Sequence, residues 1–335
     1  MEIAQRKSTK SLFRTLVLTV TLLLVQSCRP TDSSDSDMPA VDGQAPDSNV
    51  ELVVLGTVQD GGSPHIGCKK SCCRDLFAQP DPSRKVVSLG LVDHRSGSRY
   101  IFEATPDMPA QLRLLNTLTT QDSSDMPDGI FVTHAHIGHY TGLMYLGKEA
   151  TNASEIPVYT LPRMTDYLTN NGPWSQLVAN GNIRLQPITT DSTVQLAVDI
   201  SVQAVKVPHR DEYSETAGFI ISGPERKALF IPDIDKWAKW ETDISKLIAT
   251  VDYAFVDATF YNAAEVAYRD ISLIPHPFVV ESMELFDSMS DVDKAKVRFI
   301  HLNHTNPLLD KSTTAYKTVL EKGYKIAQLG DRLLL

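Results

Sequence analysis

The feature that most constrains this chain is Thr133-His-Ala-His-Ile-Gly-His139, which follows the apolar run Gly129-Ile-Phe-Val132 without a break. A short apolar run reads as a buried strand, and three imidazoles at its end predict a metal-binding turn. Residues two apart on an extended segment project to one side. His134 and His136 can therefore present their rings to one ion, with His139 where the next helix begins. A helix is expected from about Thr141. Imidazole suits Zn and Fe, and a catalytic ion takes about three protein ligands and one open water position.

The surrounding pattern alternates β-rich runs with helical stretches. Glu51–Leu55 reads as a strand entering the turn Gln59-Asp-Gly-Gly62, and 86–92 with 99–103 reads as a hairpin. Residues 106–115 read as a helix. Further strands are expected near 200–207, 217–222, 227–232, 253–257 and 297–302. A helix over about 311–322 precedes two short C-terminal strands. This order predicts an α/β fold of two sheets with helices outside them. No repeat or second linker breaks the run, so one catalytic domain is expected over 50–335. The segment 160–180 reads as a loop region in which Tyr167 and Trp174 either line a pocket entrance or merely pack.

The first residues carry a different signal. Arg6, Lys7, Lys10 and Arg14 precede the apolar run Leu16–Val25, which ends at Gln26-Ser27-Cys28. This order predicts a signal peptide over 1–27, and the small residue before Cys28 resembles a bacterial lipoprotein signal. Lipidation of Cys28 is then expected, with an ordinary signal peptide or an uncleaved anchor as the alternatives. Residues 28–49, rich in Ser, Asp, Pro and Gly, read as a disordered tether. The expectation is an exported lipoprotein, anchored to a membrane without spanning it, on the periplasmic or cell-surface side. A net charge of -9 without a run of Lys and Arg argues against a nucleic-acid partner. A small-molecule substrate is expected instead.

Cys68, Cys72 and Cys73 form a cluster, with His65 just upstream. Any disulfide leaves one of the three unpaired, and a ring between the adjacent Cys72 and Cys73 strains its own geometry. A structural Zn held by three thiolates and His65 uses every cysteine. A disulfide plus a free thiol, and a redox role, are the alternatives.

Taken together, the motifs resemble the metallo-β-lactamase superfamily. Thr133 to His139 resembles its His-x-His-x-Asp-His signature. Val207-Pro-His209, Leu229-Phe-Ile-Pro-Asp233 and Phe299-Ile-His301-Leu-Asn-His304 resemble its later histidine and aspartate strands, in the same order. The chain is also similar to the coenzyme PQQ synthesis protein B branch, through Pro106-Asp107, Gln111-Leu112, Val256-Asp-Ala-Thr-Phe260 and His301-Leu-Asn-His-Thr-Asn-Pro307. That branch often lacks the first two histidines, which this chain has, and it carries a cysteine-rich zinc knuckle with different spacing. More distantly the chain resembles tRNA 3′-end-processing endonucleases and cyclic phosphodiesterases.

The resemblance implies a four-layer αββα sandwich and a metal site drawn from His134, His136, His139, His209, Asp233 and either His301 or His304. It implies one or two Zn ions, with Fe or Mn as alternatives. Asp233 would bind the ion or its water, and His304 or His276 would protonate a leaving group. The activity implied is hydrolysis of an ester, a phosphodiester or a related bond. An iron-dependent oxygenase like the PQQ branch and a non-catalytic metal-binding protein are the other readings. One position departs from the signature: its aspartate is Gly138 here. Without that carboxylate a second ion is expected to bind weakly. Asp60 and Asp107 read as residues that cap a turn and a helix start, with a place on the rim of the site as the alternative.

Overall fold

A computed structural model describes residues 49–119, 124–267 and 270–335. The signal segment 1–27, Cys28 and nearly all of the 28–49 tether therefore lie outside the described residues. The strands in chain order are β1 (Val50–Gly56), β2 (Ser88–Asp93), β3 (Ser98–Phe102), β4 (Gly129–Phe131), β5 (Ile156–Thr160), β6 (Ile183–Pro187) and β7 (Thr193–Ala197). They continue as β8 (Ile200–Val207), β9 (Thr216–Ser222), β10 (Lys227–Ile231), β11 (Tyr253–Asp257), β12 (Val297–Ile300), β13 (Lys325–Ile326) and β14 (Arg332–Leu334). One sheet runs β14-β1-β2-β3-β4-β5-β6 and the other β13-β12-β11-β10-β9-β8-β7.

Alternation along the strands decides how the layers stack. Side chains two apart share a face. Leu52, Val54, Phe102 and Phe131 of the first sheet meet Val202, Phe219, Phe230 and Phe255 of the second in one buried cluster. The Phe131 ring stacks on Phe102 at 4.9 Å and on Tyr159 at 4.4 Å. Each fully buried phenylalanine contributes roughly 1.5–3 kcal/mol of transfer free energy.

The intervening residues point outward. Val53, Leu55, Ile101 and Ile130 pack under Leu112, Leu115, Met164 and Leu168, from the helices Met108–Asn116 and Pro162–Asn170. On the other side Leu229, Ile231, Val256 and Phe299 pack under Ile248, Met283 and Val319, from the helices Ile244–Ala249, Val279–Leu285 and Thr314–Glu321. Two apolar faces on each sheet thus produce the expected four-layer αββα sandwich.

Several local expectations need correction. Much of 160–180 is not loop: Pro162–Asn170 and Trp174–Ala179 are helices. Their buried Met164, Leu168 and Leu177 cover the outer face of the first sheet. The helix after the histidine turn is Ile137–Tyr140, running into a 3-10 segment Thr141–Leu146, so it starts earlier than read. Strands β5, β6 and β7 fall in stretches not read as strands. Asp107 does not cap its helix; its carboxylate accepts from the Val86 backbone N–H at 2.8 Å and ties the helix to the chain entering β2.

Strand direction positions the site. β10, β11 and β12 are parallel, and β8 shares their direction because both β8 and β10 pair antiparallel with β9. In the other sheet β3 and β4 are parallel. The C-terminal ends of β8, β10, β11 and β12 therefore emerge along one edge of their sheet.

Candidate metal centre

Each of those strand ends delivers a polar residue: His209 follows β8, Asp233 follows β10, Asp257 ends β11 and His301 follows β12, while His134 and His136 follow β4 of the other sheet. Backbone bonds fasten the loops together. Ala217 N–H donates to the Thr133 carbonyl at 2.9 Å, Ala135 N–H to Ser214 Oγ at 2.9 Å, and Asp235 N–H to the Pro208 carbonyl at 2.8 Å.

Ligand atoms of His134, His136, His209 and Asp233 all lie within 4.8 Å of one another. Asp233 Oδ2 is 3.2 Å from His209 Nε2, 3.5 Å from His134 Nε2, 3.7 Å from His139 Nε2 and 3.9 Å from His136 Nδ1. A second group joins Asp233 to Asp257, His276 and His301, and a third joins Asp60, His139 and His301.

The outer nitrogens of these rings are occupied. Thr133 Oγ1 donates to Glu103, so it accepts the Nδ1–H of His134 at 2.8 Å. Thr259 Oγ1 donates to Asp257 at 2.7 Å and accepts from His301 Nδ1 at 2.9 Å. His139 Nδ1 donates to Glu103 at 3.1 Å, and His209 Nδ1 to Asp235 at 3.2 Å. His136 is reversed: its Nε2 meets Glu212 at 3.3 Å and its Nδ1 faces inward. Fixing one ring nitrogen leaves the other as a lone pair aimed at the centre. The Nε2 atoms of His134, His139 and His301 are buried with no hydrogen-bond partner. Buried polar atoms left bare cost free energy, and a metal ion is the partner that several converging nitrogens and a carboxylate suit. The residues fit a metal.

Burial resists charge throughout the centre, and neighbours decide where charge survives. Burial, reinforced by His139, holds His134 well below its ordinary value. Burial also opposes charge on His139, yet the Glu103 carboxylate raises it to about 9. Against burial, Asp257 and Asp233 raise His276 to about 10. Asp257 falls to about 2 despite burial because His276 faces it, and His209 and His276 hold Asp233 well below the usual carboxylate range.

Of the residues singled out in the sequence, His134, His136, His139, His209, Asp233, His276 and His301 converge here. His276 reaches in from its loop, with Nδ1 2.9 Å from Asp257 Oδ2 and 3.1 Å from Asp233 Oδ1. His304 does not converge. Its ring stacks on His65 at 4.4 Å, beside a cavity of about 840 Å³ that Cys72 and Arg84 also line. Burial, with His65 and Lys70 nearby, lowers His304 to about 4. His301 joins the centre from a left-handed backbone, at φ 66.

The thiols of Cys68, Cys72 and Cys73 gather within 4.8 Å, all unpaired, with 3.9 Å from Cys72 to each of the others. The His65 imidazole is not among them; its Nδ1 bonds the Ile66 carbonyl at 2.9 Å. Burial and the neighbouring thiols push Cys72 up to about 12.

Sequence reasoning missed Glu103, Asp235, Glu212, Thr133 and Thr259, and gave Asp257 no role. Asp235 had a signal in the Asp233-Ile-Asp spacing. Glu103 had none, because an isolated acid at a strand end is ordinary.

Residues 98–302 match the family described as a beta-lactamase superfamily domain. A coenzyme PQQ synthesis protein B of Methylococcus capsulatus is 24% identical over 311 residues, covering 84% of this chain and 99% of that protein. The crystal structure of Zn(2+)-bound PqqB from Methylobacterium extorquens superposes with a TM-score of 0.69 at 20% identity, covering 85% of this chain and all of that one. A diphosphatase of the PhnP family gives a TM-score of 0.56 at 19% identity, covering 85% and 96%.

The expectation of an exported, membrane-anchored lipoprotein does not stand. The curated relative matched along 99% of its length is a coenzyme PQQ synthesis protein. Among the described residues no helix is long and apolar enough to cross a membrane.

Proposed function

Because the chain belongs to the beta-lactamase superfamily, we propose that it is a metal-dependent hydrolase acting on an ester, a phosphodiester or a related bond of a small molecule. The observation that carries this reading is the convergence of His134, His136, His209 and Asp233 on one point. Three nitrogens and one carboxylate suit Zn, with Fe and Mn as the other candidates. A bound divalent ion supplies a water acidified enough to act as hydroxide near neutral pH.

The chain's own residues prepare the rest. Asp235, Thr133 and Thr259 hold the rings of His209, His134 and His301, so that the donors are in place before any substrate arrives. Asp257 takes the Nδ1–H of His276 at 2.9 Å. Held there, His276 is the side chain that hands a proton to a leaving oxygen. Exposed Ile137 and Tyr213 flank His136 and Glu212 in sequence and offer an apolar rim. Behind that rim Tyr140 bonds Tyr167 at 2.8 Å and packs on Trp174 at 4.9 Å. Cys68, Cys72 and Cys73 form a separate structural Zn site in this reading, without His65.

A second reading, an iron-dependent oxygenase, is supported by the similarity to coenzyme PQQ synthesis proteins. Metal analysis of the purified chain, followed by ester and phosphodiester panels with and without chelator, tests both. Hydrolysis that a chelator abolishes, and that His276→Asn slows, is the expected result. Oxygen uptake with Fe(II) and no hydrolysis would replace the first reading with the second. Neither activity would leave a binding protein.

A further inference from the structure

His139 and His301 are wholly buried, and the Nε2 of each lacks a hydrogen-bond partner. Glu103 and Thr259 hold their Nδ1 atoms, so both rings turn Nε2 toward a shared space. The third group facing that space comes from the other end of the domain. A carboxylate oxygen of Asp60 lies within 4.8 Å of ring nitrogens of both histidines.

Backbone geometry explains the meeting. Gln59 N–H donates to the Leu302 carbonyl at 2.9 Å, and Leu302 N–H donates to the Thr57 carbonyl at 2.8 Å. Residues 57–59 are thereby clamped beside the end of β12, and Gly62 turns the chain back at φ 77, which a side chain would disfavour. Asp60 then lies directly over Gly138. A Cβ added at Gly138 would come within 2.3 Å of Asp60 Cβ and 2.9 Å of its Cα and carbonyl oxygen. The absent side chain at 138 is what lets Asp60 approach.

We propose that Asp60 supplies the carboxylate of a second metal position formed with His139 and His301, in place of the signature aspartate that this chain replaces with Gly138. This rests on the metal-site reading above. Two neutral imidazoles alone offset little of a divalent ion's desolvation, and an anionic ligand adds what is missing. Asp233, 3.2 Å from His209 Nε2 and 3.7 Å from His139 Nε2, lies between the two positions.

Zn(II) titration by calorimetry, with metal analysis after dialysis, tests the assignment on the full chain, Asp60→Asn and His136→Ala in parallel. The cysteine cluster is the same in all three, so differences report on the histidine positions. In Asp60→Asn one ion should bind more than about 100-fold more weakly, since even an outer partner of a ligand is worth about 10–100-fold. The other ions should keep their affinities. Asp60→Ala reads the same loss should the asparagine variant fold poorly by circular dichroism. Wild-type affinities in both Asp60 variants overturn the assignment. If His136→Ala still loses an ion, the first metal position stands without Asp60; if it too binds as wild type, the metal reading falls with it. Gly138→Asp should lower occupancy, because its Cβ strikes Asp60, and a gain would also overturn the proposal.

Discussion

Glu103 Oε1 lies 3.1 Å from His139 Nδ1, and both side chains are wholly buried. Glu103 also accepts from the Thr133 hydroxyl and, at 3.3 Å, from the Thr133 backbone N–H. One carboxylate thus sets the orientation of His139 directly and of His134 through the threonine. It does so from a left-handed backbone at φ 80, a conformation costly for a side chain and concentrated at functional sites. Glu103→Gln should therefore weaken metal binding about 10–100-fold while the fold persists. Calorimetric titration checks this, and unaltered affinity would show that the ring is held by packing alone.

The same pair makes a pH prediction. His139 has a folded value of about 9 against an ordinary 6.5. Stability from a raised histidine is fully present below its unfolded value and is lost as pH rises through the folded value. His276, at about 10, extends the loss upward. Chelator-stripped protein should melt at falling temperature between about pH 7 and about pH 10, and Glu103→Gln should flatten that limb. A level melting temperature in the stripped wild type would contradict the coupling.

His136 is the most solvent-accessible ring of its group, with 17% of its side chain exposed, and no core strand depends on it. His136→Ala should lose the ion of the first position and with it any chelator-sensitive hydrolysis. The stripped variant should melt within about 2 °C of stripped wild type, as expected of a near-surface change. A collapse of the fold would mean that the turn itself needs this ring.

Cys68, Cys72 and Cys73 should hold an ion independently of the histidines. Cys72→Ser is expected to release one ion per chain and to lower the melting temperature by roughly 2–4 °C for each kcal/mol lost. His65→Ala should leave that ion bound, because its imidazole is turned toward the Ile66 carbonyl and His304. Equal ion loss in both variants would return His65 to the ligand set.

Residue type and short spacing carry information about local structure, and the sequence by itself determined what is local. The apolar run before His134, the alternation within β8 to β12 and the strand-end positions of His209, Asp233 and His301 all arise within a few neighbouring residues. They give the strands and the histidine turn, whereas the four-layer sandwich and the ligand roles of His209 and Asp233 come from the resemblance to the superfamily. Tertiary structure decided what depends on direction and on distant neighbours. Glu103 meets His139 across 36 residues, and Asp257 meets His276 across 19. His301 rather than His304 joins the centre, from a left-handed backbone that no residue pattern announces. Asp60 stands over Gly138 because two loops far apart in the chain are clamped at the same sandwich edge. A glycine in a signature reads as a missing ligand until the fold shows which side chain stands over it.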